Sequence, residues 1–197
     1  MSYTFDTWTG QAVTLTLAAV DDEGGTGVQA TYYTLNGGEP QTYLPDGIVL
    51  DTEGEHLVTF WSVDSAGNLE AAQQVTVRID LTAPVCTCTV TPNQLFPVNH
   101  KLVTVVATVS MSDDASGTTG FTLVSVTSNE PDNDLGDGNT ASDIQEFEIN
   151  TADTTGKLRA ERSGKETSRI YTLTYESVDQ AGNTGICTGI VTVPHNR

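Results

Sequence analysis

The chemistry-bearing residues of this chain are overwhelmingly carboxylates. Residues 129–143 read NEPDNDLGDGNTASD, and within them Asp132, Asp134, Asp137, Asn139 and Asp143 offer hard oxygen donors on one loop. Calcium takes six to eight such oxygens from flexible loops, so this run is expected to hold Ca2+. Its spacing carries one residue more than the Asp-x-Asp-x-Asp-Gly pattern, and it ends in Asp where a Glu would stand. A second chemistry competes on equal terms, in which Arg159, Arg162 and Lys101 neutralise the acids as a polar knot that orders the loop. Shorter acidic turns recur elsewhere: DDEGG at 21–25, DSAGN at 64–68, DDASG at 113–117 and DQAGN at 179–183. Each Asp there can simply cap its own turn by accepting backbone amides. No nucleophile elbow, phosphate-cradling glycine turn or zinc-protease helix is present, so the chain is expected not to be an enzyme.

Composition narrows the classes further. The 197 residues hold 26 acidic and 8 basic side chains, a net charge of −18. Phosphate contacts need clustered Lys and Arg, so nucleic acid is excluded as a partner. The imbalance is steepest before Thr82, where 12 acids accompany one base, against 14 and 7 afterwards. No run reaches the ~20 apolar residues of a membrane helix, and no insertion is expected. Strand-like sequence follows Met1 without a charged-then-apolar leader, so the chain reads as a fragment of a longer protein.

The elements that position these loops are strands. Thr and Val alternate through AVTLTLAAV (12–20), QATYYTL (29–35), HLVTFWSV (56–63), QVTVRI (74–79), KLVTVVATV (101–109), FTLVSVT (121–127), RIYTLTYESV (169–178) and GIVTV (189–193). A period of two in β-branched and aromatic residues marks half-buried strands, and NGG, DEGG, DASG and AGN between them are turn chemistry. Many short strands at this spacing predict antiparallel sandwiches. FWSVDSAGN at 60–68 returns as YESVDQAGN at 175–183. That repeat, with the RIDLTAPV linker at 78–85, predicts two modules at 1–82 and 83–197. Aligning the copies sets Val58 and Phe60 on one face and Trp61 on the other. With Trp8, Tyr32, Tyr33 and Tyr43, Trp61 is the best candidate for a sugar-stacking platform.

Residues 1–82, through YYTLNGG, EGEHLVTFWSVDSAGNLE and IDLTAP, resemble the immunoglobulin-like repeats of bacterial surface proteins. Residues 86–197, through FPVNHKLV, LVSVTSNEPDNDLGDGNTASDIQ, LRAERSG and VTVPHN, resemble a related, HYR-like module of exported bacterial proteins; where that family has PPNHK, this chain has PVNHK. The resemblance implies an all-β fold of two tandem immunoglobulin-like sandwiches. It also implies an extracellular or cell-surface setting and a role as spacer or adhesive stalk beside neighbouring modules of the same kind. A carbohydrate-binding module, with polysaccharide as ligand, and a contact surface for another surface protein are the alternatives. In an immunoglobulin-like strand order Asp113, Asp114 and Asp179 share one pole with Asp80 of the linker, a second expected Ca2+ site. The turns at 21–25 and 64–68 share the far pole of the first module. First and last strands of such a module commonly run side by side, which suggests one disulfide. Cys88–Cys187 is the favoured pair, and Cys86, on the same face as Cys88, competes. A disulfide of either kind requires an oxidising compartment.

Overall fold

A computed structural model describes residues 3–133, 138, 140–164 and 167–195. The chain divides into two compact units, residues 1–82 with 180–183 and residues 83–179 with 184–197. No helix occurs among the described residues.

In the first unit, β1 (Trp8–Thr9), β3 (Val28–Leu35), β4 (Gln41–Thr42), β6 (Gly54–Asp64) and β7 (Gln73–Ile79) form a sheet ordered β1-β7-β6-β3-β4. β2 (Val13–Leu15) and β5 (Ile48–Leu50) form a second sheet. Side chains alternate across a pleated strand, so Val13 and Leu15, Ile48 and Leu50, Val58, and Val77 and Ile79 all fall inward and build the core. All pairings are antiparallel except β1 with β7, where Trp8 faces Arg78 and Thr9 faces Ile79 in parallel. The run expected to be strand over 12–20 stops at Leu15, because only three of its residues find a partner in β5.

The second unit pairs β11 (Ile144–Gln145), β12 (Thr155–Arg159), β9 (Leu102–Ser112) and β8 (Val85–Thr91) in one sheet. The other holds β10 (Thr118–Ser128), β13 (Arg169–Asp179) and β14 (Thr184–Val193). Along β13, residues 169, 171, 173, 175, 177 and 179 are all buried. Tyr171, Leu173 and Tyr175 meet Leu123, Leu158, Val105 and Val191 in the core. The chain leaves β8 at Thr91 and crosses to the other sheet. There Gln94 bridges Thr192 in parallel, Leu95 N–H donating to Thr192 O at 2.9 Å and Thr192 N–H to Asn93 O at 2.9 Å.

Candidate functional site

Disulfide pairing is the first correction. Cys86, not Cys88, bonds Cys187, with the Cα atoms 5.3 Å apart, and Cys88 is free. Both cysteines of β8 face the core, so strand parity does not separate them; the stagger between strands does. A Cβ on Gly189 would lie 2.7 Å from Cys88 Sγ and 2.4 Å from Val90 Cγ2. Cys88 is therefore opposite Gly189, two residues beyond Cys187, and only a glycine admits that close approach. Burial pushes the Cys88 thiol up.

The loop acids divide. Asp134, Asp137 and Asn139 lie outside the described residues. Asp132 accepts the amides of Ser142 (2.8 Å) and Asp143 (2.7 Å), and these bonds hold its carboxyl below the ordinary value. Asp143 is buried, with both oxygens engaged by guanidiniums: Arg159 Nε at 2.9 Å and Arg169 Nη1 at 2.7 Å. Glu161 is buried beside them, 3.9 Å from Arg159 and 3.8 Å from Arg169. It accepts hydrogen bonds from Thr140 Oγ1 and lies 3.2 Å from His100 Nδ1. Desolvation raises the Glu161 carboxyl, and these hydrogen bonds oppose the rise.

Two arginines thus face two buried acids, Arg169 fully buried with them and Arg159 partly exposed. The arginines also stitch the loop ends. Arg159 donates to the carbonyls of His100, Ala141 and Ser142, and Arg169 to Ser128 Oγ and Pro131 O. The Arg169 guanidinium lies 4.8 Å from the Tyr171 ring centroid. At Asp143 the geometry is that of a polar knot, with a guanidinium against each carboxylate oxygen. The knot draws on Arg159 as expected. Arg162 instead donates to the carbonyls of Ser163, Pro194 and His195, and Lys101 makes no ion pair among the described residues. Arg169 went unforeseen. Its signal is parity, because it stands in phase with Tyr171, Leu173 and Tyr175, where a charge must be buried.

At the other end of the second unit, pairing of Thr118 with Asp179 sets β13's last acid beside the 113–117 turn. Carboxylate oxygens of Asp113 and Asp179 lie within 4.8 Å of each other. Asp113 Oδ1 accepts three amides, from Ala115, Ser116 and Gly117 at 2.8–3.1 Å, so the turn is capped as the simpler expectation required. Asp114 is exposed. Asp80 is buried, and its Oδ1 accepts the Thr82 amide at 3.0 Å. The Asp113–Asp179 pair is all hard oxygen and fits calcium, but it supplies only part of a six- to eight-oxygen shell.

Trp61 lies on the face of β6 opposite Val58 and Phe60, which pack on the core. It stacks on Tyr32, its cross-strand partner, with ring centroids 6.1 Å apart and planes at 25°. Tyr33 and Tyr43 do not join it, because both pack against the core.

Strands alone, folded as two successive β-sandwich units, define the class: an all-β protein of immunoglobulin-like architecture. No protein-family model matches the chain, and no curated protein matches it. Among solved structures it is similar to the fibronectin(III)-like modules of CbhA from Clostridium thermocellum, at 11% identity over 95% of this chain and 93% of that one, with a TM-score of 0.36. It is also similar to a 1.5-MDa bacterial ice-binding adhesin, described for host cell surface retention, at 15% identity over 95% of this chain and 58% of that one, with a TM-score of 0.42. Likenesses this distant carry no functional weight. No helix of the described residues is long and apolar enough to cross a membrane.

Proposed function

We propose that this chain is a non-catalytic, tension-bearing segment of an exported bacterial surface protein, a spacer or adhesive stalk. One observation carries the reading: in each unit an early segment runs parallel to, and beside, the last strand. In the first unit β1 lies along β7, and in the second Asn93–Leu95 lies along β14. In the first unit that pairing joins the first and last strands, which puts its two chain ends at opposite poles, so a pull on the ends slides the strands lengthwise. Their hydrogen bonds are then loaded together instead of opening one at a time. In the second unit Cys86–Cys187 adds a covalent shunt, since tension crosses from the second residue of β8 to the fourth of β14 without passing through the residues between. An exported, oxidising setting agrees with that bond.

Calcium belongs to the proposal at Asp113 and Asp179 of the second unit. The test is direction. Pulled through its chain ends, the second unit should resist more force than when pulled across the β13–β14 pair from attachment points at one edge. Equal forces in both geometries would remove the mechanical reading. The outward Trp61–Tyr32 stack supports a second reading, polysaccharide binding. Trp61→Ala should then abolish a fluorescence response to a bound glycan, and silence of the wild-type protein across a broad polysaccharide panel would end it.

A further inference from the structure

The first unit holds a half-open cleft of about 540 Å³ at the pole where the 21–25 and 64–68 turns meet. Ser65 N–H and Oγ both donate to Gly27 O, tying those turns together. The floor is apolar: Leu17 and Phe60 pack downward onto the core. Two aliphatic side chains stand bare at the lip, Val20 at 93% exposure and Leu69 at 71%.

Its rim is acidic, formed by Asp21, Asp22, Asp64 and Glu70, and no Lys or Arg is among the lining residues. Three of these acids are fixed in place. Asp21 accepts the amides of Asp22 and Gly27, and Glu70 accepts from Ser62 N–H and Gln73 Nε2. Asp64 accepts from the Ala66 and Asn68 amides and Asn68 Nδ2, and the Asn68 bonds above all hold its carboxyl below the ordinary range. The first 81 residues contain a single base, Arg78, and it pairs with Glu55. The rim's charge therefore has no counter-cation from this stretch of chain.

We infer that this cleft binds an extended, basic peptide segment of a partner protein. Fixed negative charge around low-dielectric walls focuses its field into the cleft and attracts cations. The apolar floor suits the methylene stem of Lys or Arg, whose charged head then reaches the rim. Val20 and Leu69 call for aliphatic side chains on either side of that cation, which a peptide supplies and a simple polyamine does not. The run from Ala18 to Val20 also pairs with no strand, leaving backbone open for an added extended chain. This inference stands apart from the tension reading, and its failure leaves that reading intact.

The test titrates the isotope-labelled full chain with a heptapeptide alternating lysine and valine, and separately with spermidine and with calcium. The expected result is amide shifts confined to 17–22 and 60–73, with affinity falling about tenfold or more from about 0.05 to about 0.3 M salt as the field is screened. Asp22→Lys, at an exposed carboxylate that accepts no hydrogen bond among the described residues, and Leu69→Ser should each weaken the peptide about tenfold, a loss of about 1.4 kcal/mol, while leaving the melting temperature unchanged. Absence of shifts at millimolar peptide would overturn the inference, as would shifts elsewhere, binding undiminished in Asp22→Lys, or spermidine or calcium binding as well as the peptide.

Discussion

Arg169→Met tests the buried knot of the second unit. Arg169 is 1% exposed and supplies Asp143 Oδ2, among the described residues, with its only guanidinium, at 2.7 Å. Methionine would fill much of the stem's volume while deleting the charge, leaving Asp143 and Glu161 to share Arg159, with His100 as the remaining neighbour. Removing one partner from a buried ion pair typically costs about 3–5 kcal/mol. Natural domains have only about 5–15 kcal/mol in all. At about 4–8 °C per kcal/mol for a domain near this size, the second unit should melt at least about 12 °C lower. Both tryptophans lie in the first unit, so the transition is best followed through the amide signals of β13 in urea. Arg169→Met combined with Asp143→Leu removes one charge of each sign and should recover most of the loss, because the cost lies in the orphaned charge. A loss below about 1 kcal/mol, the range of solvated surface pairs, would refute the closed-knot description.

The remaining predictions are brief. Thiol alkylation of the oxidised, unfolded protein should label Cys88 alone; Cys86→Ser should cost up to about 4.7 kcal/mol, the chain-entropy limit for a loop of ~100 residues, and Cys88→Ser far less. Labelling of Cys86 would refute the pairing. Asp132, with its folded carboxyl below the ordinary 3.8, contributes stability that is present above that pH and is lost as pH falls through the lower folded value. The Ser142 and Asp143 amide shifts should titrate below pH 3.8 and cease to do so in Asp132→Asn; a midpoint at or above 3.8 would count against the loop bonds. Calcium at 100 times its dissociation constant should add about 2.7 kcal/mol to the second unit, and Asp179→Asn should remove the gain; a melting curve indifferent to calcium and chelator eliminates the ion.

Strand parity made most of the framework legible. Val58, Phe60, Leu173 and Tyr175 fall inward where the alternation puts them, and Trp61 falls outward. Stagger between strands was not legible, because Cys86 and Cys88 are equivalent by period two and only the facing residue, Cys187 or Gly189, distinguishes them. The 12–20 run looked like one strand because propensity does not know partner length; β5 offers three residues, so Ala18 to Val20 became a cleft wall. The loop acids carried two readings because carboxylates suit calcium and arginine alike. Arg159 and Arg169 lie against Asp143, and the place of Arg169 in the inward register of β13 was the clue to its part in that cluster. The parallel pairing of β1 with β7 rests on two residues, too short to leave a periodic trace.

The most direct test of the account is the end-to-end extension of the second unit under force, with and without reductant. Cys86 and Cys187 are 101 residues apart in sequence, and a stretched chain spans about 3.3–3.6 Å per residue. The oxidised unit should therefore lengthen by about 350 Å less than the reduced unit, yielding only the short stretches outside the bond. Equal extensions in the two states would show that tension does not cross at Cys86–Cys187 and would contradict the covalent shunt.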